Sequence, residues 1–351
     1  MYENITYDQI MSRMLDRVPD TLDKREGSVI YTALAPAAVE LQNMYIELDV
    51  ILNESYADTA SRDALIKMAA VRGISPKSAS AAILKGEFNI DIPEGSRFSL
   101  DSYNYQAISK MGDHIYRMQC ETPGTAPNGK LGELIPIDYI DGLAYAKLTE
   151  LLIPGEDEED TDSFRVRYLE SYNSAAFGGN IADYKENVLS LPGVGGVKVY
   201  PTWNGGGTVK LVILDAEYKA ASGELVSSVQ TAIDPTQNSG QGLGLAPIGH
   251  TVTVQAAKTT TINISTSIVY EKGWDWEDVE TYVQQAVDEY CTDLASQWDA
   301  SDQLVVRISQ IETRLLSLSG IVDISDTTIN GQPKNLILEA DNIPIRGTVN
   351  G

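Results

Sequence analysis

The chain is poor in the residues that most often carry chemistry. Among 351 residues there are two cysteines, Cys120 and Cys291, and two histidines, His114 and His250. They stand far apart, so no C-x-x-C, H-x-x-H or H-E-x-x-H spacing can be written, and no structural zinc site or disulfide scaffold is expected. Basic residues are also scarce. Twenty-six Lys and Arg face fifty Asp and Glu, a formal net charge of -24. Nucleic-acid binding draws its affinity from neutralising phosphates with cations, so neither DNA nor an anionic membrane is an expected ligand. Long apolar runs are missing as well. The richest, Thr32 to Ile51, is broken by Pro36, Glu40, Gln42, Asn43, Glu47 and Asp49, short of a membrane span. The opening MYENITYDQI has neither a basic start nor an apolar core, so no secretory signal is expected. A chain made in a reducing compartment is the reading, with 43% hydrophobic residues ample for cored domains.

What is present is organised by period. Thr6 and Gln9 form a capping box before a helical stripe at Ile10, Met11, Met14, Leu15 and Val18. A long helix is expected from Ser28 to about Tyr56, kinked by Pro36 near its start. In it Leu34, Ala38, Leu41, Tyr45, Leu48 and Leu52 recur at steps of four and three, a heptad seam suited to a core or to helices of other chains. A third helix, about Thr59 to Arg72, should stop at Gly73 with Ile74 as the following hydrophobe.

From Ala82 the period becomes two. Phe88, Ile90 and Ile92 alternate with acids and Asn, and Tyr116, Met118 and Cys120 alternate with polar residues. Cys120 therefore reads as an inward strand residue and not as a nucleophile. After Pro154-Gly155 comes the densest charge run, Glu156, Asp157, Glu158, Glu159, Asp160 and Asp162. It lacks the alternating acids, sixth-position Gly and twelfth-position Glu of an EF-hand loop. Acids in front of a helix from Thr161 to Tyr172 complement its dipole and are the better reading.

Two stretches in the C-terminal half align without gaps, Ile181 to Val194 and Ile308 to Ile321. Each has apolar positions at helical spacing, then Leu-Ser-Leu-x-Gly, then a β-branched residue. The second carries Ile308, Ile311, Leu315 and Leu318. Each helix is expected to end in a C′ glycine, Gly193 or Gly320, and to lead into a strand pair: 196–200 with 208–214, and 321–324 with 335–338. The glycine runs at 205–207 and 240–244 lack the lysine and following helix of a phosphate loop and read as connections. His250 opens a strand with no triad partner near it in sequence. Trp274 and Trp276 stand at a helix start, where packing suffices.

The expected fold is α+β: a helical segment at 1–80, a small β domain at 81–155, and related α+β modules at 156–258 and 259–351, either of which could extend its sheet across subunits through an exposed strand edge. Two functional classes are weighed besides a structural one, a hydrolase using paired carboxylates and a glycan- or receptor-binding module. The sequence places no two carboxylates in an apolar setting and does not cluster its Tyr residues.

Several ordered motifs resemble the baseplate J-like proteins of contractile phage tails and phage-tail-like particles. They are 25–36 (REGSVIYTALAP), 56–61 (YADTAS), 69–74 (AAVRGI), 93–96 (PEGS), 176–184 (AFGGNIADY), 193–201 (GVGGVKVYP) and 242–250 (GLGLAPIGH), and they cover essentially the whole chain. The look is closest to versions in Gram-positive phages, defective prophages and R-type bacteriocins. The resemblance implies a structural, non-enzymatic wedge protein without cofactors, made in the bacterial cytoplasm. Two copies would join a different wedge protein through N-terminal helices, with six wedges around a central hub and spike and the sheath-initiator protein against the bundle. Leu34, Ala38, Leu41, Tyr45, Leu48 and Leu52 would then form the bundle seam, residues 259–351 a dimerisation arm, and Ile308, Ile311, Leu315 and Leu318 an interaction face of that arm.

Overall fold

Short polar signals start each N-terminal helix. α1 (Tyr7–Leu15) opens on Thr6, whose hydroxyl accepts the Gln9 N–H while the Gln9 side chain accepts the Thr6 N–H, the anticipated capping box. α2 (Val29–Glu54) opens on Ser28 and continues through Pro36. α3 (Arg62–Ala70) opens on Ser61. At Gly73, with φ +73°, the N–H groups of Ile74 and Gly73 return to the carbonyls of Ala69 and Ala70, a left-handed glycine stop. The computed structural model describes residues 2, 4–172 and 178–351. These divide into two compact units, Met1–Lys77 with Glu159–Ser174, and Ser78–Glu158 with Ala175–Gly351.

In the first unit α1 lies on α2, burying Ile10, Met11 and Ala38. A separate core holds Ala60, Leu65 and Ala69 against Phe164 and Tyr168 of α4 (Thr161–Glu170). Sequence position groups α4 with the module that follows it, but its aromatic face finds its apolar partners on α3. Arg165 ties it further, donating to the carbonyls of Ala57 and Ala60.

The second unit begins with seven strands: β1 (Ile83–Phe88), β2 (Arg97–Leu100), β3 (Tyr103–Gly112), β4 (Ile115–Cys120), β5 (Gly132–Glu133), β6 (Ile135–Pro136) and β7 (Ala146–Ile153). Their order is β5-β7-β1-β4-β3-β2-β6, all neighbours antiparallel. β5 and β6 are consecutive in sequence, separated by Leu134 alone. One pairs with β7 and the other with β2, so residues 132–136 close the sheet into a barrel, which removes its free edges. Leu84, Phe98, Met118, Cys120 and Leu148 fill the interior, and Tyr116, Met118 and Cys120 point inward as their alternation required.

Next come α5 (Ile181–Leu189), β8 (Val194–Pro201), β9 (Thr208–Asp215), α6 (Gly223–Ile233) and β10 (Thr251–Ala256). Residues 176 and 177 of the 176–184 motif lie outside the described residues. β9 is central, antiparallel to β8 and parallel to β10. Its side chains alternate between two cores: Leu211 and Ile213 pack with Val188, Leu225 and Val229 of the helices, while Val212 and Leu214 join the C-terminal core.

The last elements are β11 (Lys258–Tyr270), α7 (Trp276–Ser296), β12 (Val305–Val306), α8 (Ile308–Leu316), β13 (Ile321–Ile329), β14 (Leu336–Ile337) and β15 (Asn342–Asn350). Here the two aligned stretches diverge. β13 does not pair with residues 335–338. It runs antiparallel to β11, β14 pairs with β12 in a small separate ribbon, and β15 lies parallel on the other side of β11. The glycine stops also differ from expectation. α5 and α8 are capped by Ser190 and Ser317, three residues before Gly193 and Gly320. Those glycines, at φ +82° and +90°, turn the chain into β8 and β13 instead of ending the helices. The whole is an α+β fold.

Candidate interaction surfaces

The acidic run is absorbed by backbone and cation partners inside its own units. Glu156 accepts the Gly193 N–H, and Asp157 accepts the N–H and hydroxyl of Thr125. Glu159 takes Arg167 in a two-pronged pair at 2.8 and 2.6 Å and also accepts the Lys77 N–H. Burial raises the Glu159 pKa, but the Arg167 and Lys77 bonds outweigh it and hold the carboxyl below its usual value. Asp160 is the N-cap of α4, accepting from the N–H groups of Asp162 and Ser163. The oxygens a cation would need are thus largely committed, and among the described residues no three His, Cys, Asp or Glu side chains converge as a metal site.

The histidines and cysteines are similarly committed. His250 Nδ1 lies 2.8 Å from the Tyr184 hydroxyl, with the two rings stacked at 6.0 Å. His114 Nδ1 meets Asp91 at 3.0 Å on an exposed turn. Both thiols are buried, and burial, which disfavours the thiolate, raises the Cys120 pKa and pushes that of Cys291 up to about 12. Two clefts are a recess of about 380 Å³ at the start of α2, lined by Gly27, Val29, Thr32 and Ala33, and one of about 270 Å³ beside Tyr290, Asp293, Arg307 and Arg314. Neither holds a carboxylate pair.

A polar cluster joins the two C-terminal modules. Lys198 on β8 is buried, donates to the Ala340 carbonyl at 2.7 Å, and lies 4.6 Å from the centre of the Trp298 ring. The Trp298 indole N–H donates to the same carbonyl at 2.9 Å. Next to it the Tyr200 hydroxyl donates to Asp341, which also pairs with Lys210 at 2.9 Å. With Val212 and Leu214 beneath, this fastens the two modules to each other.

α2 is the exception to this internal economy. Leu34, Ala38 and Tyr45 face α1, but the other seam residues do not gather with them: Leu41 and Leu48 are exposed and Leu52 is half-buried. Two further rows are open. Ala37, Leu41, Met44, Leu48 and Ile51 recur at four and three, and so do Val39, Asn43, Ile46, Val50 and Asn53. Met44, Ile46, Val50 and Ile51 are each 54 to 60% exposed. A helix apolar on all sides is normally buried on all sides, and among the described residues of this unit α1, with Tyr2 beside it, covers one side of α2. A single seam is what spacing suggested; apolar residues in three heptad phases were the signal for the other two.

The four residues singled out on the C-terminal module are interior. Ile311 and Leu315 are 1% and 0% exposed, and Ile308 and Leu318 pack at the margin of the same core. Their spacing marks the buried stripe of α8. The module's exposed apolar residues are others, including Val322, Ile337 and Ile345.

Comparison with known proteins agrees with the motifs. The model of the baseplate J-like central domain matches residues 176–256, and that of the baseplate J-like protein C-terminal domain matches residues 262–351. The uncharacterized protein YqbT of Bacillus subtilis (strain 168) is 40% identical over 354 residues, spanning 100% of this chain and 98% of that protein. The phage-like element PBSX protein XkdT of the same organism is 39% identical over 353 residues, spanning 99% and 98%. A chain in the cryo-EM structure of the anti-feeding prophage baseplate aligns with 98% of this chain and 91% of its own length, at 9% identity and a TM-score of 0.42. With two relatives matched from end to end and two family models in sequence order, the chain belongs to the baseplate J-like protein family.

Proposed function

We propose that this baseplate component is a wedge protein of a contractile tail or tail-like particle. Two copies join a different wedge protein through α2, and the C-terminal arm pairs copies around the hub. The sheath-initiator protein and central spike are the further neighbours that this reading implies. The role is structural: the ring holds one geometry and releases another, which calls for interfaces with two states of similar energy and not for a reactive centre. The observation that carries the reading is the pair of heptad rows on α2 that its own unit leaves open. The arm contributes through exposed side chains and through β15, which among the described residues pairs only with β11, and not through Ile311 or Leu315.

The test is co-expression with neighbouring tail genes, using the double substitution Leu41→Asp and Leu48→Asp. The expected variant keeps its circular dichroism and melting behaviour but forms no higher complex by size analysis and no particles by negative-stain microscopy. Normal assembly of that variant would overturn the proposal.

A further inference from the structure

The end of the sheet where β9 and β10 begin is free of charge. Residues 235–257, the longest stretch of the sequence without Asp, Glu, Lys or Arg, run from the end of α6 through β10, and the β8–β9 loop lies in a second such stretch, 199–209. The two loops touch. The Thr251 N–H donates to the Gly207 carbonyl at 2.8 Å, and a Cβ on Gly207 would lie 2.9 Å from the Gly249 carbonyl oxygen. At this end Trp203, Leu243, Leu245 and Ile248 are 44, 67, 48 and 82% exposed.

The longer loop is held from inside. The Asp234 carboxylate, on a residue 2% exposed, accepts the Ser239 hydroxyl and the N–H groups of Gly240 and Val252. The Gly249 N–H closes the neck on the Gly240 carbonyl at 2.8 Å, and the N–H groups of Leu245 and Ala246 return to the carbonyls of Ala232 and Ile233. Gly244 packs so closely that a Cβ would stand 2.3 Å from the Ile233 carbonyl oxygen. A satisfied buried carboxylate makes the loop rigid, so its apolar side chains are presented at a fixed place.

Charge decides what can cover them. At a net charge of -24, two copies repel over most of their surface. Other exposed apolar residues of this unit stand among acids: Ile135, Ile137 and Tyr139 with Glu133, Asp138 and Asp141, and Val322 with Asp323. A two-fold contact sets a patch against itself, so any charge within it meets its own sign. The loop end avoids that repulsion, and it offers a basic partner nothing to pair with. We infer that it is a self-association surface, on which Trp203, Leu243, Leu245 and Ile248 of one copy meet the same residues of a second copy. This rests on the assembly role proposed above and adds a copy-to-copy contact separate from α2 and from the C-terminal arm. The patch is small, so the contact is weak, and it strengthens as salt screens the repulsion around it.

The test is local crosslinking of the intact chain. Cys120 and Cys291 are buried, so a short bis-maleimide should join copies of the Ile248→Cys chain through the new thiol alone. Tyr139→Cys, at a residue 88% exposed elsewhere on the unit, is the control and should give little dimer. The Ile248→Cys yield should rise with ionic strength. Adding Leu243→Asp should lower it roughly tenfold, since two carboxylates then face each other. Mixing the Leu243→Asp chain with a Leu243→Lys chain should restore it as a mixed dimer. Equal yields from the two cysteine positions, no dimer from Ile248→Cys, or no rescue in the mixture would overturn the inference. Binding of the native chain to phosphatidylcholine vesicles that is lost on Leu243→Asp would overturn it too, naming a lipid surface as the occupant. In co-expression, normal particles from a Leu243→Asp, Ile248→Asp chain would sink this contact alone, whereas normal particles from the Leu41→Asp, Leu48→Asp chain would sink the assembly reading beneath it.

Discussion

The Lys198 ammonium donates to the Ala340 carbonyl at 2.7 Å, so a cation on β8 is bound to the backbone just before β15. Burial lowers its pKa against the opposing pull of Asp341, Asp299 and Asp302. Lys198→Met keeps most of the volume and removes the charge and the bond. The expected loss is about 1–3 kcal/mol of stability, with faster amide hydrogen exchange along Asn342–Asn350. Unchanged exchange there would show that Trp298, which shares the carbonyl, holds the modules together without Lys198.

Acid should weaken the fold from identifiable places. At both Glu159 and Asp341 burial raises the pKa, but hydrogen bonds and cations prevail and hold it below the ordinary values of 4.5 and 3.8. In the acid range the unfolded chain therefore binds more protons than the folded one. Stability from these groups is complete above the ordinary values and is lost as pH falls through the lower folded values. Asp215 acts in the opposite direction, because burial raises its pKa. Denaturant melts at pH 7 and pH 3.5 should show a net loss at the lower pH. Glu159→Gln should cost roughly 1–3 kcal/mol at pH 7 and reduce the difference between the two pH values. A pH dependence unchanged in that variant would remove Glu159 from the account.

The membership of α4 in the first unit can be tested by a cavity. Phe164 is fully buried among Leu65, Ala69 and Ala60. Phe164→Ala should destabilise that unit by about 3–5 kcal/mol. Exchange protection should fall in α3 and α4 together and stay unchanged in the barrel strands. Loss of protection in β8 and β9 instead would place α4 energetically with the later module.

Gly320 combines a positive φ of +90° with the Trp274 ring lying where a Cβ would go. Gly320→Ala should therefore lower stability by about 1–3 kcal/mol. Gly206→Ala, at a glycine without positive φ and with open space around it, should leave the melting temperature nearly unchanged. Equal effects at the two sites would refute the steric argument.

The helices were legible where a few adjacent residues decide the outcome. Thr6 with Gln9, and Gly73 with Ile74, act as their spacing suggests, because capping is a local interaction. Features that depend on distant pairing were not legible. Residues 342–350 contain Pro344 and Gly347 and do not alternate cleanly, and they form a strand because β11 offers an open edge. α4 has a weakly patterned face whose partner is a hundred residues earlier. At the candidate interface, the seam from Leu34 to Leu52 was visible, but its division between α1 and solvent follows from how one short helix covers one side of a long one.

The closure made by residues 132–136 has a kinetic consequence. β2, β3 and β4 are neighbours in sequence and can pair early at low entropic cost, whereas β1 must find β7 across some sixty residues. The closing segment has no favourable place until both β2 and β7 are in position, since each of its halves uses one of them. Barrel formation should therefore finish with this five-residue latch. Before it seats, the chain presents two complementary strand edges, the interval in which copies of this protein are most open to pairing with one another in error.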